Sequence, residues 1–95
     1  MEIRIFGRQQ CPNCKIARKT VVEFLVESGV ECDVPTTYFD MDTIDGRAEG
    51  AYYDVRAIPT TILSEGNQDI ARWDGTIPSK EELSTKIKGH KCCRP

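Results

Sequence analysis

The feature that most limits what this chain can fold into is a change of period close to its start. "EIRIF" alternates Ile3 and Ile5 with Glu2 and Arg4, the two-residue period of a strand. After "GRQQ" the spacing changes. Ala17, Val21, Phe24, Leu25 and Ser28 share one stripe at helical spacing, and Lys15, Lys19, Glu23 and Glu27 lie mainly on the other side. Pro12 suits the first position of that helix and Gly29 suits its end. A strand that runs at once into a long amphipathic helix has to lay the helix back over a sheet.

The remaining segments supply that sheet. "TTYFDM", reached through "ECDVP", reads as a second strand, and the right-handed crossover rule makes it parallel to the first. "GRAEGAYYDV" sets Ala48, Ala51, Tyr52 and Val55 at helical spacing, which predicts a short helix. "PTTIL" and "DIARW" are β-rich runs joined by "SEGNQ", a hairpin signal. In "SKEE", Ser79 can cap a last helix while Glu82 returns the bond, and Leu83 and Ile87 give it an inner face. The expected fold is α/β: a four-stranded mixed sheet with three helices on its two faces. Ninety-five residues allow one domain, 1–95, with about 89–95 expected to be a flexible tail.

Composition narrows the class of function. A formal net charge of −2 gives no reason to expect nucleic acid as a partner. The longest apolar runs, such as "FLV", are far too short for a membrane span, and the strand-like start is not the apolar core of a signal peptide. A reducing cytoplasmic location and a monomer are the expectations. Five cysteines are many for such a chain, but they are odd in number, and bridging Cys11 to Cys14 closes too small a loop to restrain the unfolded chain. A structural staple is therefore a weak reading.

The C-x-x-C pair in "QQCPNCKIARK" is better suited to chemistry. Cys11 falls at the tip of the long helix, where unpaired backbone N–H groups and the positive end of the dipole favour an anion. A thiolate is such an anion, and cysteines so placed ionise more readily than a free cysteine. Arg8 and Lys15 can add to this, although Arg8 also reads as a solvated loop charge. Cys14 belongs to the buried stripe of the same helix. One sulfur is then accessible and ionisable and the other sheltered, the asymmetry that thiol–disulfide exchange needs.

Three segments carry a family resemblance. "IFGRQQCPNC" resembles the first strand and active-site loop of glutaredoxins, including the basic residue ahead of the first cysteine. "YDVRAIPTTIL" resembles the thioredoxin and glutaredoxin segment in which a cis-proline faces the cysteine pair. "RWDGTIPSKEEL" is similar to the end of small glutaredoxin-like redoxins that are reduced by thioredoxin reductase and supply ribonucleotide reductase. The resemblance implies a thioredoxin-like fold and a dithiol–disulfide oxidoreductase without a bound cofactor, acting on disulfide-containing proteins. By it, Cys11 is the nucleophile and Cys14 the resolving thiol. Pro59 is the cis-proline, the Ile58 backbone pairs with an extended substrate, and Arg8, Pro12, Asn13, Trp73, Asp74 and Gly75 contact substrate or reductase.

The departures bear on the reductant. Gln10 stands where thioredoxins carry tryptophan, and Pro12-Asn13 replaces their Gly-Pro. "WDGTIP" replaces the double glycine and paired acids with which glutaredoxins hold glutathione, so the expected donor is thioredoxin reductase rather than glutathione. Two other readings stay open. Cys11 and Cys14 could join Cys92, Cys93 and His90 around zinc or an iron–sulfur centre, although adjacent Cys92-Cys93 make an awkward clip. The domain could also be an interaction module with incidental cysteines. Cys32 reads as a buried inert thiol, and "GHKCCRP" as a frayed end with exposed thiols.

Overall fold

The computed structural model describes residues 1–30, 33–66 and 68–87. Cys32, His90, Cys92, Cys93 and the tail expected over 89–95 lie outside the described residues. Strand β1 (Glu2–Gly7) runs through the middle of a four-stranded sheet. Its neighbours are β2 (Thr36–Asp40), parallel, and β3 (Thr60–Glu65), antiparallel; β4 (Gln68–Asp74) pairs antiparallel with β3, giving the order β2-β1-β3-β4. Helix α1 (Pro12–Ser28) joins β1 to β2, α2 (Ile44–Tyr52) joins β2 to β3, and α3 (Lys80–Lys86) follows β4. The mixed α/β sheet with three helices expected from the sequence is the fold observed.

Alternation along β1 sorts the two faces. Ile3 and Ile5 are fully buried with Val21, Phe24 and Leu25 of α1, Leu63, Trp73, and Leu83 of α3 in one core cluster. On the opposite face Phe6 stacks on Phe39 at 4.9 Å and meets Tyr53 at 6.0 Å between ring centroids. Arg4 points to this second face as well. Its guanidinium lies 4.7 Å from the Tyr53 ring centroid and donates to Ser64 Oγ at 2.8 Å, so the polar half of the alternation is largely covered rather than open to water.

The helix ends follow the residue types that mark them. Gly29 closes α1 in the left-handed conformation (φ 71°) and its N–H returns to the carbonyls of Leu25 and Val26. Ser79 and Glu82 form a reciprocal capping box at α3. Of the predicted α1 stripe, Ala17, Val21, Phe24 and Leu25 are buried, while Ser28 is exposed where the helix ends.

Helix α2 forms as expected, but the residues at helical spacing do not make its inner face. Ala48, Ala51 and Tyr52 are exposed and Val55 only half-buried, whereas Gly46 and Gly50 are buried. A Cβ on Gly46 would sit 1.8 Å from the Asp40 carbonyl oxygen, so glycine lets α2 lie directly on the end of β2. Close backbone approach, rather than an apolar stripe, seats this helix. The large side chain that fills the space is Tyr53, just past the helix end.

Candidate active site

Cys11 is the N-cap of α1, in an extended conformation (φ −99°, ψ 111°), and Pro12 opens the helix. Cys11 Sγ accepts a hydrogen bond from the Cys14 backbone N–H at 3.2 Å. The first turn holds no acidic residue to compete with an anionic sulfur at the positive end of the helix dipole. Cys11 and Cys14 are joined in a disulfide, with Cα atoms 5.2 Å apart, an ordinary span for such a bond. Cys11, Pro12 and Asn13 face outward to differing degrees, whereas Cys14 is fully buried. The unequal exposure expected from the helical stripe is present.

Gly7 makes that placement possible, and the sequence reading did not single it out. A Cβ on Gly7 would lie 2.8 Å from Cys14 Cβ, 2.9 Å from Cys14 Sγ and 3.0 Å from the Tyr38 hydroxyl. The end of β1 thus comes directly against Cys14. A glycine between a strand and a cysteine loop is the available sequence signal for close approach. The neighbour it accommodates, Tyr38, comes from β2 and could not be read without the sheet register.

The Ile58–Pro59 peptide bond is cis, as the family resemblance implied. Phe6 pairs with Thr60, so Pro59 falls at the end of the sheet where β1 runs into the cysteine loop. The segment before it is tied on several sides. Arg72 donates from Nη1 to the Tyr53 carbonyl (2.6 Å) and from Nη2 to the Asp54 carbonyl (2.9 Å), satisfying two carbonyls just beyond α2. Thr60 Oγ1 donates to the Ala57 carbonyl (2.6 Å), and the Gly75 N–H to the Pro59 carbonyl (2.8 Å). Arg72 is a second residue that sequence reasoning passed over, because its partners lie on another element.

Two grooves that share Arg8 open at this end of the sheet, one of them reaching Cys14. One, of about 400 Å³, is lined by Arg8, Met41, Val55, Arg56, Ala57 and Ile58. The other, of about 520 Å³, is lined by Gln9, Gln10, Cys14, Lys15, Arg18, Tyr38 and Asp40, with Arg8 again at its border. Arg8 stands between them and pairs with Asp42 at 3.2 Å, both side chains more than half exposed, so the pair is weak and the guanidinium readily redirected.

The residues predicted at the far loop separate. Gly75 adopts a positive φ (73°) and a Cβ there would meet Ala57 at 3.2 Å, which places it beside the cis-proline segment. Asp74 is exposed and accepts from Arg72. Trp73 is instead 8% exposed, its indole in the core cluster and its Nε1–H donating to Glu82 Oε2 at 2.9 Å. That bond, followed by the Ser79 backbone N–H, holds the Glu82 carboxyl below its ordinary range. Trp73 packs; it offers little surface to a partner.

Among the described residues no group of three or more His, Cys, Asp or Glu side chains is arranged to hold a metal ion. His90, Cys92 and Cys93, which the metal reading needed, lie outside them. Among the described residues no helix is long and apolar enough to cross a membrane.

A mixed sheet in this order, with a C-x-x-C pair at a helix start and a cis-proline at the same end, defines a thioredoxin-like domain. The thioredoxin domain profile matches residues 1–88, and the chain belongs to that family. Thioredoxin-2 of the malaria parasite, a component of its protein secretion machinery, superposes with a TM-score of 0.77 at 21% identity, covering 94% of this chain and 82% of that one. Thioredoxin 1 from Thermosipho africanus gives 0.73 at 22% identity, covering 93% and 91%. Oxidised thioredoxin O2 from Arabidopsis thaliana gives 0.73 at 20%, covering 92% and 71%. These likenesses concern the fold. No curated protein matches the chain in sequence.

Proposed function

We propose that this chain is a dithiol–disulfide oxidoreductase that reduces protein disulfides through Cys11 and Cys14. The observation that carries the reading is the disulfide between a helix-capping, partly exposed sulfur and a fully buried one, beside a cis-proline. Cys11 as thiolate attacks a substrate disulfide, forming a mixed disulfide; Cys14 then attacks Cys11 Sγ and releases the reduced substrate. In this reading the Ile58 backbone, just before β3 begins, pairs with an extended substrate segment. By the same reading Arg8, Pro12, Asn13, Asp74 and Gly75 contact that segment.

Electrons come from thioredoxin reductase rather than glutathione in this reading. Its support is the family membership together with "WDGTIP", where the glutathione-holding residues of glutaredoxins are replaced. The protein acts as a monomer in a reducing, cytoplasmic setting. The experiment is reduction of a protein disulfide with NADPH and thioredoxin reductase, in parallel with glutathione and its reductase, for wild type and Cys11→Ser. Turnover with the first system, little with the second and none in the variant is expected. Equal turnover by Cys11→Ser overturns the mechanism, and faster turnover with glutathione overturns the choice of donor.

A further inference from the structure

A fully buried thiol resists ionisation, because losing water disfavours the thiolate. Cys14 is fully buried, yet the exchange proposed above requires it to attack as a thiolate and, in the reverse direction, to depart as one. Something near it has to stabilise the charge.

Tyr38 is the group so placed. It pairs with Ile5 in the β1–β2 register, one step along the same face from Gly7. The point where a Gly7 side chain would begin lies 2.9 Å from Cys14 Sγ and 3.0 Å from the Tyr38 hydroxyl, so the two groups converge over the bare glycine. The two are not hydrogen-bonded in the oxidised form; a shift of the ring in the reduced protein, or one bridging water, would join them. The ring is held by the Arg18 guanidinium, 4.8 Å from its centroid, and both Cys14 and Tyr38 line the 520 Å³ cleft.

We propose that the Tyr38 hydroxyl is the hydrogen-bond donor that stabilises the Cys14 sulfur as a thiolate during exchange. The inference rests on the exchange reading above. When the mixed disulfide resolves, the Cys14 thiolate attacks Cys11 Sγ. The Cys11–Cys14 bond forms, the bond from Cys11 to the substrate sulfur breaks, and the electron pair leaves on the substrate thiolate. The dithiol is oxidised and the substrate disulfide reduced by the same two electrons. In reverse, a reductant thiolate attacks Cys11 and the electron pair passes to Cys14, where the phenol receives the charge as a hydrogen bond without surrendering its proton.

The surroundings keep Tyr38 a donor. Burial pushes its phenol above the ordinary tyrosine value, Asp40 and then Asp42 push the same way, and Arg18 opposes them. Lys15 and Arg8 complete the charged lining of the cleft. The hydroxyl therefore stays protonated across the neutral range.

The test follows the resolving step alone. In a full-length background with Cys32, Cys92 and Cys93 changed to serine, an aromatic disulfide releases one coloured thiolate when Cys11 attacks and a second when Cys14 resolves. Tyr38→Phe should leave the first phase unchanged, slow the second about tenfold at neutral pH, and move its pH profile upward, as loss of a charge-assisted hydrogen bond requires. Site-specific replacement of Tyr38 by a fluorinated tyrosine, a stronger donor of nearly the same shape, should move the profile downward. Second-phase profiles that superpose in all three proteins overturn the proposal. Absence of a fast first phase in the wild-type side chain at Tyr38 overturns the exchange reading itself, so the two failures are distinct.

Discussion

Gly7→Ala is the substitution whose consequence can be worked furthest from the structure. The added methyl group would stand 2.8 Å from Cys14 Cβ, 2.9 Å from its sulfur and 3.0 Å from the Tyr38 hydroxyl. Comfortable contacts between such atoms are about 3.5–4.0 Å, so several neighbours must each retreat by roughly 0.5–1 Å. Tyr38 can tilt, but Cys14 Cβ is fixed to the first turn of α1, and moving it moves the helix start. Inserting one methyl group into a packed site of this kind costs about 1–3 kcal/mol. With a urea slope of about 1 kcal/mol/M for a small domain, the midpoint of the oxidised protein should fall by roughly 1–3 M. The chemistry should suffer separately. A displacement of order 1 Å between reacting groups can cost about a hundredfold, so the resolving phase should slow by tenfold or more while initial attack by the exposed Cys11 changes little. Urea melts followed by tryptophan fluorescence read the first effect, and two-phase thiolate release reads the second. A variant as stable as wild type that resolves at the same rate would refute the claim that β1 is bare at Gly7 in order to admit Cys14.

Three further perturbations test other parts of the molecule. Cys14→Ser should retain the attack by Cys11 and accumulate a stable mixed disulfide with substrate, seen as a mass shift, whereas Cys11→Ser should accumulate none. Glu82 has its carboxyl pulled below the ordinary value first by the Trp73 indole and then by the Ser79 backbone; the stability this contributes is full above the unfolded-state value and is lost as pH falls through the folded one. Glu82→Gln should therefore be less stable than wild type at neutral pH and show a flatter loss of urea midpoint on acidification below the usual carboxylate range, with the single tryptophan, Trp73, as reporter. Arg72→Met removes the donors to the Tyr53 and Asp54 carbonyls and should cost about 1–3 kcal/mol, with faster amide exchange concentrated between α2 and Pro59.

Much of this architecture was legible because local pattern and tertiary role agree. The alternation of Ile3 and Ile5, the stripe of Ala17, Val21, Phe24 and Leu25, the Gly29 terminator and the Ser79–Glu82 box each carry their own local physics, and each stands where that physics puts it. The cysteine pair was legible for the same reason: a proline-started helix places one sulfur at the cap and the next a turn deeper. Where contacts between distant segments decide, the sequence was silent or misleading. The face of α2 is chosen by Gly46 lying on the Asp40 carbonyl, which no apolar periodicity reveals. Trp73, at the end of a strand beside the candidate rim, could equally have been surface or core; its register on the α3 side of the sheet turns it inward to Glu82. Tyr38 and Arg72 acquire their partners only when distant segments come together, and nothing in the segments that contain them singles either one out.

The most direct test of the central claim is the pH dependence of alkylation at each cysteine of the reduced protein, resolved by mass spectrometry. Cys11 should react fast and titrate well below a free thiol, with Cys14 slow throughout the neutral range. A Cys11 that titrates like an ordinary cysteine, or a Cys14 that reacts first, would contradict an account built on an anionic sulfur at the head of α1 and a sheltered partner behind it.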